Sequence, residues 1–204
     1  MYENENDQVD AIKRFFAENG KALAVGVILG VGALVGWRYW NSHQVDSARG
    51  SSLQYENTVS AIKADQPQTL AAAEKFAADN KNTYGALTSL EVAQQFVDKG
   101  ELDKAAAQLQ QGLAAAGNDN LKALINLRLA RIQVQQKKPD EALKTLDSVK
   151  GEGFASIVAD LRGEALLSKG DKQGARSAWE AGVKSNASPA LSEMMQMKIN
   201  NLSV

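Results

Sequence analysis

Two hydrophobic patterns divide the chain. Residues 22–37 read ALAVGVILGVGALVGW, an apolar run without a charge or a strongly polar side chain. Beyond residue 40 the apolar positions recur three and four apart, the spacing of one helix face, and turn signals interrupt them repeatedly. Helices are predicted over 45–64, 67–80, 83–98, 101–116, 119–137, 139–149, 154–169, 171–185 and 189–202. Pro67, Pro139 and Pro189 stand at helix starts, where a missing N–H costs nothing. Gly100, Gly117, Gly151 with Gly153, and Gly170 mark ends or turns. No stretch alternates with period two long enough to predict a strand.

The apolar run predicts a membrane-spanning helix over residues 22–40. Its uncharged stretch rises about 24 Å, short of a hydrocarbon core of about 30 Å. The flanks extend it: Lys21 and Arg38 can reach the two interfaces, and Trp37, Tyr39 and Trp40 form an aromatic belt. A cleaved leader would start basic and end in small residues, whereas this segment starts acidic and ends in Trp-Arg-Tyr-Trp. The glycines at 26, 30, 32 and 36 would weaken a helix in water, and lipid tolerates them. The run also lacks the polar face of an interfacial helix. Lys13, Arg14 and Lys21 before the span, against Arg38 and Arg49 after it, favour a cytoplasmic N-terminus. Ala22, Gly26 and Gly30 recur every fourth residue, which makes Gly26 and Gly30 candidates for helix–helix contact in lipid.

The soluble part repeats itself. Three stretches align without gaps: SLEVAQQFVDKGELDKAAAQLQQG, NLRLARIQVQQKKPDEALKTLDSV and ADLRGEALLSKGDKQGARSAWEAG. A small residue leads (Ala93, Ala130, Gly163), a turn follows (Gly100, Lys137, Gly170), then an alanine (Ala105, Ala142, Ala175) and a large apolar residue (Leu109, Leu146, Trp179). The offsets between units are 37 and 33 residues. Such a unit is an antiparallel helix pair whose small residues let two backbones approach while the large one fills the gap to the next pair. The spacing resembles the tetratricopeptide repeat, with aliphatics at most aromatic positions. Residues 45–81 read as a degenerate first pair, with Ala72 and Phe76 at its packing positions, and 189–202 as a capping helix. The predicted fold is therefore all-α: one N-terminal transmembrane helix followed by a tetratricopeptide-like solenoid.

Composition narrows the function. Residues 41–204 hold nineteen bases and nineteen acids, interleaved, so no basic footprint for nucleic acid exists. The chain has no cysteine and one histidine, His43, which excludes disulfides, thiolate catalysis and a two-His metal site. No phosphate-cradling loop motif appears, no cofactor is expected, and Asp98, Glu101 and Asp103 read as turn and helix-start residues. The remaining reading is protein binding. By analogy with such repeats, the first helix of each pair lines a concave groove, which places Gln94, Arg131 and Glu164 on its surface.

The front, NDQVDAIKRFFAENGKALAVGVILGVGALVGWRYWNSHQVDSAR, and the back, GDKQGARSAWEAGVKS with PALSEMMQMKINNL, resemble the YfgM family of ancillary SecYEG translocon subunits. The resemblance implies a bitopic protein of the bacterial inner membrane: a cytosolic tail over 1–21, a span over 22–40 and a periplasmic repeat domain over 41–204. It implies association with the SecYEG channel and with PpiD, a membrane-anchored periplasmic chaperone, and transfer of newly translocated chains to such chaperones. A link between the tail and a cytosolic stress-response regulator is also implied. No catalytic residue comes with it. The alternative is a purely structural adaptor that stabilises a chaperone–translocon complex.

Overall fold

The computed structural model describes residues 3–63, 67–185 and 187–202. Among them every regular element is helical. Helix α1 spans Glu3–Lys63, α2 Pro67–Asp79, α3 Thr83–Asp98, α4 Leu102–Ala115 and α5 Asp119–Gln135. They are followed by α6 Pro139–Asp147, a 3-10 turn at Glu152–Phe154, α7 Ala155–Ser168, α8 Lys172–Lys184 and α9 Pro189–Asn201. The expected breaks agree to within a few residues, with one exception. The membrane segment and the helix expected at 45–64 form a single helix of 61 residues. Asn41, Ser42, His43 and Gln44 between them include no proline or glycine, so nothing local ends the helix.

The chain divides into two units at Gly50–Ser51. The first holds α1 as far as Gly50, and there Ile28, Leu29 and Leu34 are each about two-thirds or more exposed, while the end of the same helix buries Ile62 in the second unit's core. The 32 residues Ile12–His43 include a window long and apolar enough to cross a membrane, and none of that window is buried. At about 1.5 Å per residue these residues rise about 48 Å, so the helix continues past both ends of the uncharged run, with Lys21 and Arg38 flanking it. A helix whose large aliphatics all face outward is at its lowest free energy in lipid, since each exposed leucine or isoleucine costs about 1.5–3 kcal/mol in water.

The second unit stacks helix pairs: α3 on α4, α5 on α6 and α7 on α8, with α2 against α3 and α9 against α8. The positions picked out by the repeat carry the packing. Ala105, Ala142 and Ala175 are completely buried, and Leu109, Leu146 and Trp179 are 1% exposed. A Cβ on Gly163 would run into the Trp179 indole, whose Nε1 donates to the Asp160 carbonyl at 3.1 Å. The core is a series of clusters, each shared by neighbouring helices.

The three turns share one geometry. Gly100 (φ 74°), Lys137 (φ 59°) and Gly170 (φ 85°) are all left-handed. In each, the next residue's N–H reaches back five residues: Glu101 to Phe96 O at 2.8 Å, Lys138 to Gln133 O at 2.8 Å, and Asp171 to Leu166 O at 3.0 Å. These are Schellman closures, and the middle one is held without a glycine. Side-chain caps set several of the helix starts: Asn82 accepts from Tyr84 and Gly85, Asn118 from Leu121, and Asp171 from Gly174.

The first pair departs from expectation by one residue. Ala72 is exposed and Phe76 half-buried, while Ala73 and Ala77 are buried. The beginning of α3 is pressed so closely on the end of α2 that a Cβ on Gly85 would collide with the Asn80 carbonyl and approach that of Ala77 at 3.2 Å. A large residue has no room at that joint, and alanine takes the place.

Two substitutions test this packing by urea denaturation of the full chain in detergent. Gly163→Ala should lower the unfolding free energy by about 2 kcal/mol through overpacking against Trp179. Lys137→Gly should raise it by about 0.5–1 kcal/mol by relieving the left-handed lysine, offset in part by greater freedom of the unfolded chain.

Candidate protein-binding groove

Helix α5 lies against α4 and α7, and a cleft of about 250 Å3 opens between α3 and α5 over Leu109 of α4. Its floor is apolar, with Leu90, Leu109 and Ile132 at its base, and Gln94, Arg128, Arg131 and Gln135 at its rim. Two of the three groove residues expected from the repeat register, Gln94 and Arg131, therefore line the same cleft. The Gln94 amide donates to Asp98 Oδ1 at 2.8 Å, which holds that carboxylate on its own helix. Arg128 was not anticipated, although its place one turn before Arg131 on the same face makes it readable from the spacing alone.

Glu164 does something else. It accepts from Lys198 Nζ of α9 at 2.7 Å, and the same ammonium donates to Asp160 at 2.6 Å. The Asp160 side chain is 4% exposed, and the Lys198 ammonium lies 5.7 Å from the Trp179 ring centroid. Burial pulls the Lys198 pKa down, but the hydrogen bonds it donates to Asp160 and Glu164, with their negative charges, outweigh burial and hold the pKa above its ordinary value. This cluster clamps the capping helix onto the last pair, together with Met195, Ile199 and Leu202, which are buried against Ala175 and Trp179. Met194 and Met197 are exposed.

The residues expected to anchor α1 are all on its surface. Lys21 and Arg38 are exposed, as are Trp37, Tyr39 and Trp40, and the Trp37 and Trp40 rings lie 5.8 Å apart. Gly26 and Gly30 have no neighbour within 4 Å of where a Cβ would stand. Gly26 shares a shallow depression with Phe15, Asn19, Ala22 and Leu23. Among the described residues no group of His, Cys, Asp and Glu has the arrangement of a metal site.

The tetratricopeptide repeat-like domain family matches residues 13–204. An ancillary SecYEG translocon subunit of Escherichia coli is 79% identical over 204 residues, covering 100% of this chain and 99% of its own length. Its namesake in Haemophilus influenzae is 35% identical, and that in Aggregatibacter actinomycetemcomitans 31%, each over 97% of both chains. No solved structure matches the chain.

The clamp yields a pH-dependent prediction. A lysine whose folded pKa lies above its ordinary 10.5 stabilises the fold at every pH below that value and loses its contribution as pH rises through the raised one. Lys198→Met should cost about 2 kcal/mol at pH 7, because it leaves the buried Asp160 charge unpaired. The difference from wild type should shrink above about pH 10.5, as read by urea unfolding across pH.

Proposed function

The chain belongs to the tetratricopeptide repeat-like family and, within it, to the ancillary SecYEG translocon subunits; on that premise we propose that it is a membrane-anchored scaffold that captures protein segments beside the translocon. In this reading residues 1–21 are a cytosolic tail, 22–40 the span of the inner membrane, and 41–204 a periplasmic domain. The larger number of bases before the span (Lys13, Arg14 and Lys21) than close after it (Arg38 and Arg49) supports this direction. The repeat domain receives newly translocated chains from the SecYEG channel and passes them to a periplasmic chaperone of the PpiD type. Residues 22–40 hold it in the bilayer, with Gly26 and Gly30 as the face toward another membrane helix. The role is non-catalytic. The tail is the part available to a cytosolic stress-response regulator.

The observation that carries the scaffold reading is the α3–α5 cleft, where an apolar floor and a polar rim that includes Gln94 and Arg131 meet on one surface. An apolar anchor with a polar rim is how protein surfaces capture chain segments. A second reading is favoured by the outward-facing apolar residues of α1 between Ala22 and Trp40. In it the span alone recruits the partners and the repeats act as a spacer within a chaperone–translocon complex.

Co-purification from detergent-solubilised membranes separates the two. The scaffold reading expects Arg131→Glu to reduce capture of the periplasmic chaperone about tenfold, with an unchanged thermal melt. It also expects a chain whose residues 22–40 are replaced by an unrelated span to retain that capture. Capture that follows the span and ignores Arg131 contradicts the scaffold.

A further inference from the structure

The charge in the α3–α5 cleft is one-sided. Its nine lining residues include two arginines, Arg128 and Arg131, and no acid, in a chain of formal net charge −1. Neither guanidinium takes part in an ion pair among the described residues, whereas Arg162 pairs with Asp147, and Lys198 pairs with Asp160 and Glu164. The acids of the facing helix, Glu91 and Asp98, lie outside the cleft lining, and Asp98 is bonded to Gln94. On α7 the corresponding position, Glu164, is taken up by Lys198. The two guanidinia, one turn apart on α5, are thus left with open donor forks above an apolar floor.

We infer that the cleft selects partner segments that carry side-chain carboxylates beside a large apolar residue, with Arg128 and Arg131 receiving the carboxylates and the floor receiving the apolar group. This rests on the reading of the cleft as a binding surface. A guanidinium presents parallel N–H donors that match a carboxylate, and two of them one turn apart match two acids on the same face of an incoming chain. The volume of about 250 Å3 suits one anchoring side chain and lies below the ~300–1,000 Å3 of sites that engulf a small molecule. The polar glutamines at the rim, Gln94 and Gln135, can pair with the backbone of the bound segment.

The test uses the full-length chain in nanodiscs and fluorescence anisotropy with three end-blocked peptides: GLEELEG, its amide counterpart GLQQLQG, and its basic counterpart GLKKLKG. The expected result is that the acidic peptide binds at least tenfold more tightly than the amide one, and the basic one least. That preference disappears in R128Q/R131Q and persists in R128K/R131K, all with unchanged thermal melts. A third variant, Q94W, fills the mouth of the cleft from an exposed position and should abolish binding of every peptide. If the acidic and amide peptides bind equally and Q94W removes both, the carboxylate selectivity is overturned and the cleft remains a binding surface. If no peptide binds, or if Q94W has no effect on binding, the cleft reading itself is overturned and the inference with it.

Discussion

The repeat domain depends on how closely paired helices approach one another. Ala105, Ala142 and Ala175 are wholly buried, as are Ala93 and Ala130, and Gly163 lies directly against the Trp179 indole. Any larger side chain at these positions would hold the backbones apart. The left-handed turns at Gly100, Lys137 and Gly170 make the approach possible by reversing the chain within a few residues. With the pairs closed, Leu109 and Leu146 pack toward the next pair and Trp179 toward the capping helix, and α5 lies against both α4 and α7. The cleft between α3 and α5 is a consequence of that stacking, so its rim residues are displayed on rigid helices.

A repeat array must also end, and the way this one ends shapes the surface. The last pair presents Ala175 and Trp179, which α9 covers with Met195, Ile199 and Leu202. The clamp from Lys198 to Asp160 and Glu164 fixes that helix and draws Glu164 into structure. The same repeat position therefore has two uses: on α3 and α5 it is open at the cleft, while on α7 it is spent on the cap. What distinguishes them is the presence of a lysine on α9, far away in sequence, which register alone does not reveal.

Much of this was legible in the sequence, for identifiable reasons. Helix boundaries were readable because Pro139, Pro189 and the turn glycines act locally, and the packing alanines because their spacing repeats without gaps. Lys137 took the glycine's place in the alignment and takes its left-handed geometry in the structure. Readings failed where a distant contact decides. Ala72 was one residue off because the α2–α3 joint is set by the close approach at Gly85. The helix break expected before residue 45 does not occur, because neither proline nor glycine lies there to cause one. Arg128 belongs to the cleft through its neighbour Arg131, and a groove drawn as one residue per repeat omits it.

The proposed scaffold requires that the repeat domain, and not only the membrane helix, touch the translocon-associated partners. Hydroxyl-radical footprinting of the full chain in nanodiscs, with and without purified SecYEG and its chaperone partner, reports the solvent access of individual side chains. Leu124, 38% exposed and one turn before Arg128 on α5, should lose reactivity in the complex, while Met197 on the capping helix, 59% exposed, should keep its own. Protection confined to residues 22–40, with Leu124 unchanged, would contradict the scaffold.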